Sequence, residues 1–242
     1  MTAILAFDTG TDRCSVALLA GGVVRVDEHA TGNGLPAASA TLLPSIERLM
    51  RAAGLVFADL DAIAFGRGPG AFTGLRTAAA VAQGLALGAG KPVLPVSSLL
   101  AVAEEARATR GGDGAFAVWS VLDARMGELY AALHAHDGRA WSTRVEPLLA
   151  TPASLVARWA GADAGHPPLA VAGSGVALLG EHLPDGVDRY PDAAPRARSV
   201  LALAAQAWRR GEAVDAALAL PLYVRDKVAE TEVERRAAKA LA

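Results

Sequence analysis

ILAFDTGTDRCSVALLAGGVVRVDE, residues 4–28, decides the fold. Ala3–Phe7 is a compact apolar run that reads as a strand, and Cys14–Ala20 reads as a second. Val23–Glu28 alternates apolar with charged residues, the period of a third. Gly10 and Gly21-Gly22 supply the turns of this three-strand meander. The same order begins again halfway along the chain, in AFAVWSVLDARMGELYAALHAHDGRAWSTRVE at residues 115–146. There Ala115–Leu122 ends in Asp123 as the first strand ends in Asp8, Glu128–Ala135 follows, Asp137-Gly138 makes a turn, and Trp141–Glu146 is the third strand. No short solenoid period is present. The chain therefore reads as an α/β protein of two duplicated lobes, each a mixed sheet flanked by helices, facing a cleft.

Outward from the meanders, Leu42, Leu43, Ile46, Leu49, Met50 and Ala53 form one stripe of a helix over Thr41–Ala53, with Pro44 expected in its first turn. Ala62–Phe65 reads as a buried strand. A glycine-rich loop follows, then a helix over Gly74–Gly88, a strand over Pro92–Val96, and a helix over Ser98–Ala108 capped by Ser97 or Ser98. Arg110-Gly111-Gly112-Asp113-Gly114 is linker-like and divides the chain into lobes at 1–110 and 111–242. In the second half, Pro152–Trp159, Val176–His182 and Arg198–Arg210 read as helices and Leu169–Ala172 as a strand. Pro221–Arg225 reads as extended and Asp226–Leu241 as an amphipathic charged tail.

A hydrophobic fraction of 52% with 20% charged residues in 242 describes a globular chain with a sizeable core. The N-terminus lacks the basic region of a signal peptide. The longest apolar stretch, Thr77 to Ala89, falls short of the roughly 20 residues of a membrane span. One cysteine, Cys14, excludes an internal disulfide and suits a reducing cytoplasm. The formal net charge is −2, and the arginines are scattered among acids instead of forming the basic stripe that grips nucleic acid. If RNA is handled, a partner supplies most of the grip.

Asp8-Thr9-Gly10-Thr11 has the composition of a phosphate-cradling turn beside a carboxylate that can orient a hydrated cation, and equally that of an ordinary hairpin turn. A nucleotide held in a cleft needs a second such turn. The counterpart is Asp123-Ala124-Arg125-Met126-Gly127, where Arg125 can meet an anion but Ala124 and Met126 resist close backbone approach. Asp8, Thr9, Gly10, Thr11, Asp123 and Arg125 thus form a lopsided, vestigial nucleotide site. Gly66-Arg67-Gly68-Pro69-Gly70-Ala71-Phe72-Thr73-Gly74-Leu75-Arg76 is dense in glycine yet carries no Walker pattern. It reads as a structural loop that docks Phe72, with Thr73 capping the next helix and Arg76 a minor candidate for a charged contact. That helix is apolar or small nearly all round, with Gly74, Ala78, Ala82 and Ala86 on one side and Ala80, Gly84 and Gly88 on another. Such a helix is buried on more than one face, by its own sheet and by a second helix that approaches closely. Of the histidines, His134 and His136 share a strand face without companion ligands, so neither a metal nor a cofactor is expected.

ILAFDTGTDRCSVALL at 4–19, FGRGPGAFTGLRTAAAVAQGLALG at 65–88, PVSSLLAVAE at 95–104, DARMGELYAAL at 123–133 and PLYVR at 221–225 together resemble the TsaB (YeaZ-like) family from end to end. G-P-G-A-F-T-G-L-R at 68–76 and D-A-R-M-G-E-L-Y at 123–130 are close to diagnostic. The resemblance implies actin/RNase H-like lobes of the actin/Hsp70/sugar-kinase architecture. It also implies a non-catalytic subunit that pairs with TsaD, the ATP- and metal-binding relative that attaches threonylcarbamoyl to the adenosine beside the tRNA anticodon. TsaE, an ATPase, would dock on that pair, tRNA would be held mainly through the partner, and the same helices would serve a homodimer of the free chain. The contact implied lies on the two helices at 41–53 and 74–88, at Leu42, Leu43, Ile46, Leu49, Met50, Gly74, Ala78, Val81, Ala82 and Leu85. One departure is that Ala38-Ser39-Ala40 precedes Thr41-Leu42-Leu43-Pro44, where the family often has a histidine. Two other activities compete: an ATPase or kinase of the same architecture, which needs a competent second phosphate turn, and a metalloprotease, which needs a ligand cluster.

Overall fold

The computed structural model describes residues 2–32, 34–160 and 168–225, so the charged tail after Arg225 lies outside the described residues. The chain builds two five-stranded mixed sheets of one topology. The first is ordered β3-β2-β1-β4-β5, from Ile4–Asp8 (β1), Arg13–Ala20 (β2), Val23–Ala30 (β3), Ala62–Gly68 (β4) and Val93–Ser97 (β5). The second is ordered β10-β9-β6-β7-β8, from Phe116–Arg125 (β6), Glu128–His136 (β7), Trp141–Ala150 (β8), Ala170–Ala172 (β9) and Asp188–Tyr190 (β10). In each, an antiparallel meander is extended by two parallel strands on the side of its first strand. The duplication read from the meanders is therefore carried through the whole topology. The short strand β10 carries no alternation and was not foreseen; pairing with β9 creates it.

Among the described residues six helices cover the sheets: Ala38–Ala53 (α1), Phe72–Ala89 (α2), Ser98–Arg110 (α3), Pro152–Ala160 (α4), Val176–Leu179 (α5) and Ala197–Arg209 (α6). β1 is buried on both faces, which is why its sequence is continuously apolar rather than alternating. Leu5, Phe7, Val16, Leu18, Ile63 and Phe65 meet α1 and α2 on one face. Ile4, Ala6, Ala17, Ala62 and Ala64 meet Ala197, Val200, Leu201 and Ala204 of α6 on the other. The second sheet is sandwiched likewise. Trp119, Val121 and Leu133 pack with Leu155 and Trp159 of α4, while Phe116, Val118 and Ala132 pack with Leu99, Val102 and Ala106 of α3. Each half of the chain thus lends a helix to the other half's sheet, and the first amide of α6 donates to Ser15 Oγ of β2 at 2.8 Å. The Arg110 division separates the two sheets but not the two cores.

Two local expectations change. The first helix starts at Ala38, so Pro44 sits in its interior rather than its first turn. The position tolerates proline because it faces solvent, where water can meet the freed Ala40 carbonyl. Strand β8 runs past Pro147 to Ala150, permitted because it is an edge strand. Among the described residues no helix is long and apolar enough to cross a membrane.

Fragments 1–110 and 111–242 produced separately are expected to lack cooperative thermal unfolding by circular dichroism. Each leaves a sheet face bare, and losing Val200, Leu201 and Leu203 alone forfeits about 1.5–3 kcal/mol per side chain. Co-expressed, the fragments should associate and recover a cooperative transition.

Candidate functional site at the two hairpin turns

The first turn is filled by its own chain. Asp8, at the end of β1, is buried; its Oδ1 accepts from the Gly10 amide at 2.7 Å and its Oδ2 from Ser98 Oγ at 3.1 Å. Ser98 Oγ in turn accepts from the Gly68 amide at 3.2 Å. A Cβ on Gly66 would stand 1.7 Å from Asp8 Oδ2, so only glycine admits the carboxyl. Burial pushes the Asp8 carboxyl up to about 6, with the Gly10 amide and the Ser98 hydroxyl pulling the other way. Thr9 and Gly10 are buried too. Thr9 Oγ1 donates to the Gly74 carbonyl at 2.8 Å, and the Gly10 carbonyl accepts from the Ala71 amide at 2.8 Å. The loop sits against the turn at backbone contact: a Cβ on Gly74 would be 1.8 Å from the Thr9 carbonyl oxygen, and one on Gly70 2.6 Å from that of Gly10. The Gly68–Pro69 peptide is cis. This turn has little left to offer a phosphate, and only Thr11 of its four residues stands partly open.

The second turn repeats the first without its filling. The Arg125 amide donates to Asp123 Oδ1 at 2.7 Å, matching Gly10 to Asp8, but Asp123, Arg125 and Met126 are exposed. Arg125 and Met126 adopt φ of 66° and 57°, conformations that side chains disfavour. The Asp123 amide donates to Ser174 Oγ, and Arg225 clasps the hairpin, donating to the Ala124 carbonyl at 3.1 Å and pairing with Glu128 at 2.7 Å.

Between the turns lies a cleft of about 750 Å³ that brings Gly10, Thr11, Asp123 and Arg125 together, while Asp8 and Thr9 stay beneath it. Residues 222–225 cross this cleft as a strap. The Leu222 amide donates to the Arg67 carbonyl at 2.7 Å, and Tyr223 rests against Phe72 with ring centroids 5.5 Å apart. Phe72 is therefore not sunk in the core but lies on the surface, 41% exposed, with the Arg76 guanidinium over its ring. Arg76 Nε also reaches the Tyr223 hydroxyl at 3.2 Å, so the strap takes up this candidate cation. Thr73 does not cap α2: the helix begins two residues earlier than expected, at Phe72 after Ala71, whose amide is the one bonded to Gly10. Gly68 is the last residue of β4, and Pro69 and Gly70 lie between it and α2. The contribution of Gly66, Ser98 and the strap was missed, because contacts across 90 residues leave no trace in local pattern. Among the described residues no group of three or more metal-ligating side chains exists.

The two helices divide the predicted contact residues unequally. Leu42, Ile46, Leu49 and Met50 of α1 and Gly74, Ala78 and Ala82 of α2 are buried in the lobe's own interior. The periodicity that marked them as a stripe is the sheet-facing stripe. Val81 and Leu85 are half-buried, and Leu43 is 43% exposed. The outward face of α2 is Ala80, Gly84, Leu87 and Gly88, with Leu87 69% exposed. A Cβ on Gly84 or Gly88 would meet nothing within 4 Å, so packing within this chain does not require either glycine.

Comparison with known proteins agrees with the architecture. A sequence profile for the family described as TsaD, tRNA N6-adenosine threonylcarbamoyltransferase, matches residues 36–233. The tRNA threonylcarbamoyladenosine biosynthesis protein TsaB of Escherichia coli is 33% identical over 240 residues, covering 93% of this chain and 96% of the relative. Two Pseudomonas aeruginosa structures are similar throughout. One described as YeaZ has a TM-score of 0.79 at 35% identity, covering 92% of this chain and all (100%) of its own. The other, described as similar to peptidase YEAZ, has a TM-score of 0.81 at 37% identity, covering 93% and 100%.

The buried Asp8 carboxyl sets a pH signature. Its folded value, about 6, lies above the ordinary 3.8, so the folded state favours the protonated form. Stability is then lost as pH rises through that interval, by about 3 kcal/mol in all, and levels off above it. Urea unfolding of wild type and Asp8→Asn at pH 4 and pH 7 should show the wild type losing stability relative to the variant.

Proposed function

Because this chain belongs to the TsaB family of tRNA threonylcarbamoyladenosine biosynthesis proteins, we propose that it serves that modification as a partner subunit and performs none of the chemistry itself. Its place in tRNA threonylcarbamoyladenosine biosynthesis comes with membership; the non-catalytic role and the docking face are our reading. One segment, Gly68–Gly88, carries that reading. Its loop sits at backbone contact on the Asp8 turn and takes up the Thr9 hydroxyl while Asp8 itself holds the Gly10 amide, so two donors a nucleotide's phosphates would need are engaged, and its helix turns small residues outward. A fold of this architecture whose phosphate turn is occupied by its own backbone is poorly suited to be an ATPase or kinase. The metalloprotease reading lacks a ligand cluster among the described residues.

The partner in this reading is a TsaD-type transferase, whose family profile this chain itself matches over residues 36–233, so that two proteins of related architecture would pair. Docking uses the outward faces of α1 and α2: Leu43 on one and Ala80, Gly84, Leu87 and Gly88 on the other. A glycine inside a helix costs roughly 1 kcal/mol relative to alanine, and no internal contact at Gly84 or Gly88 offsets it. Close approach of a second protein's helix does, since absent side chains let backbones come together. TsaE would then join the pair and tRNA would be gripped mainly by the transferase, consistent with a chain of net charge −2 working in the cytoplasm.

Size-exclusion chromatography of the chain mixed with the TsaD-type protein of the same organism should give a stable 1:1 complex. Gly84→Arg should abolish it without lowering the melting temperature of the isolated chain, and Gly84→Ala should raise stability by up to about 1 kcal/mol. Ala82→Glu, by contrast, should unfold the lobe, because Ala82 is fully enclosed. Co-elution of Gly84→Arg would place the interface elsewhere. Saturable Mg·ATP binding with turnover by the isolated chain would overturn the non-catalytic role.

A further inference from the structure

Phe72, Arg76, Ala80, Gly84 and Gly88 follow one another at intervals of four along α2, and all five are exposed. Residues four apart stand one above the other on a helix and form a single ridge. The outward face therefore does not stop at Ala80. About 6 Å further toward the N-terminus it carries Arg76, and about 6 Å beyond that Phe72. There the strap joins it. Tyr223, itself 46% exposed, rests its ring on Phe72, and its hydroxyl accepts from Arg76 Nε, whose guanidinium lies 3.8 Å from the Phe72 ring centroid. An arginine and two aromatic rings are thus held together on open surface, and these are residue types enriched at protein contacts.

The strap has no slack. Arg225 follows Tyr223 by two positions, a reach of at most about 7 Å. It is held at the Asp123 hairpin of the other lobe, pairing with Glu128 at 2.7 Å and donating to the Ala124 carbonyl at 3.1 Å, with its side chain largely covered. On the other side of Tyr223, the Leu222 amide donates to the Arg67 carbonyl at 2.7 Å. Tyr223 is the anchor that faces water. Cation–π contacts are weak in solvent and strengthen when water is excluded. Whatever covers Tyr223 on the ridge therefore also steadies Leu222 and Arg225. With them it steadies two walls of the cleft, which residues 222–225 and 122–126 both line.

We propose that residues 222–225 are a latch on the cleft, closed when Tyr223 sits on Phe72 and Arg76, and that a TsaD-type partner docked along the same ridge covers Tyr223 and locks it. The seated tyrosine holds Arg225 on the Asp123 hairpin and keeps the cleft spanned; this half concerns the chain alone. The locking rests on the partner-subunit reading, and its occupant follows from continuity. The exposed row runs unbroken from Gly88 to Phe72, so a helix laid along Ala80 and Gly84 meets Arg76 next. Coupling is reciprocal, so a partner that secures the strap binds less tightly when the strap is loose.

The test is NMR of the full chain, following hydrogen exchange of the Leu222 amide and the position of the Met126 methyl, which reports on the 3.8 Å contact of Arg225 Nη1 with Met126 Sδ. Tyr223→Ala should speed Leu222 exchange about tenfold and move the Met126 methyl toward its position in Arg225→Ala. Tyr223→Phe, which keeps the ring, should do so only in part, and melting temperatures check that the variants fold. A Met126 methyl unmoved by Tyr223→Ala, or an unchanged Leu222 rate, would overturn the latch. Added TsaD-type protein of the same organism should slow Leu222 exchange at least about fivefold and bind Tyr223→Ala at least about fivefold more weakly than wild type. A wild-type complex that leaves Leu222 exchange unchanged, or equal affinity for Tyr223→Ala, would overturn the locking and spare the partner-subunit reading. No complex with wild type would overturn that reading and the locking together, while the variants of the free chain still decide the latch.

Discussion

The seating of the Gly68–Gly74 loop against the Asp8–Gly10 turn is the contact on which the rest of the first lobe depends. The Gly10 and Gly74 carbonyls are bonded by the Ala71 amide and the Thr9 hydroxyl, and Asp8 is pinned through Ser98 to the Gly68 amide. These bonds tie the ends of β1 and β4 to the starts of α2 and α3. They also engage the Thr9 hydroxyl, and with the Gly10 amide held by Asp8 Oδ1 the turn loses two donors that a phosphate would use. Three glycines, at 66, 70 and 74, are present because any side chain there would collide with the Asp8 carboxyl or with turn backbone. A single close approach thus fixes the direction in which α2 leaves the sheet and what the turn can no longer bind.

That direction sends α2 across the outer face of the first sheet, whose inner face belongs to α6 from the other half of the chain. The exchange of α3 and α6 makes the two lobes interdependent, and the strap at 222–225 adds a third tie between Arg67, Phe72 and the Asp123 hairpin. With the central strands of both sheets covered on both faces, the outward side of α2 keeps an exposed apolar residue, Leu87, beside its small ones. Its exposed leucine and two unneeded glycines suit a protein contact better than solvent.

Much of the fold was legible because the signals are local. The apolar run ending in Asp8 and its echo ending in Asp123 gave both meanders, and the 3.6-residue stripe of Leu42, Ile46, Leu49 and Met50 gave α1. The same stripe says less about the site. Periodicity identifies the face that is buried but not what buries it: Ala78 and Ala82, expected on a docking surface, are enclosed by their own lobe. The true outward set, Ala80, Gly84 and Gly88, was visible as a second small-residue row yet looked less apolar. Asp8 sealed by Gly66 and Ser98, and Arg76 engaged by Tyr223, are products of long-range topology. No window of sequence contains both partners of any of these contacts.

The central claim is that the Asp8 turn is filled and the outward face of α2 is the working surface. Methyl NMR of the isotopically labelled chain tests both halves at once, because Leu75 lies beside Gly10, with Cδ2 3.1 Å from where a Gly10 Cβ would stand, while Leu43 and Leu87 lie on the outward helix faces. The account predicts that the TsaD-type partner shifts or broadens the Leu43 and Leu87 methyls, and that Mg·ATP alone leaves Leu75 unmoved. A saturable response of Leu75 to Mg·ATP, with Leu43 and Leu87 indifferent to the partner, would contradict it.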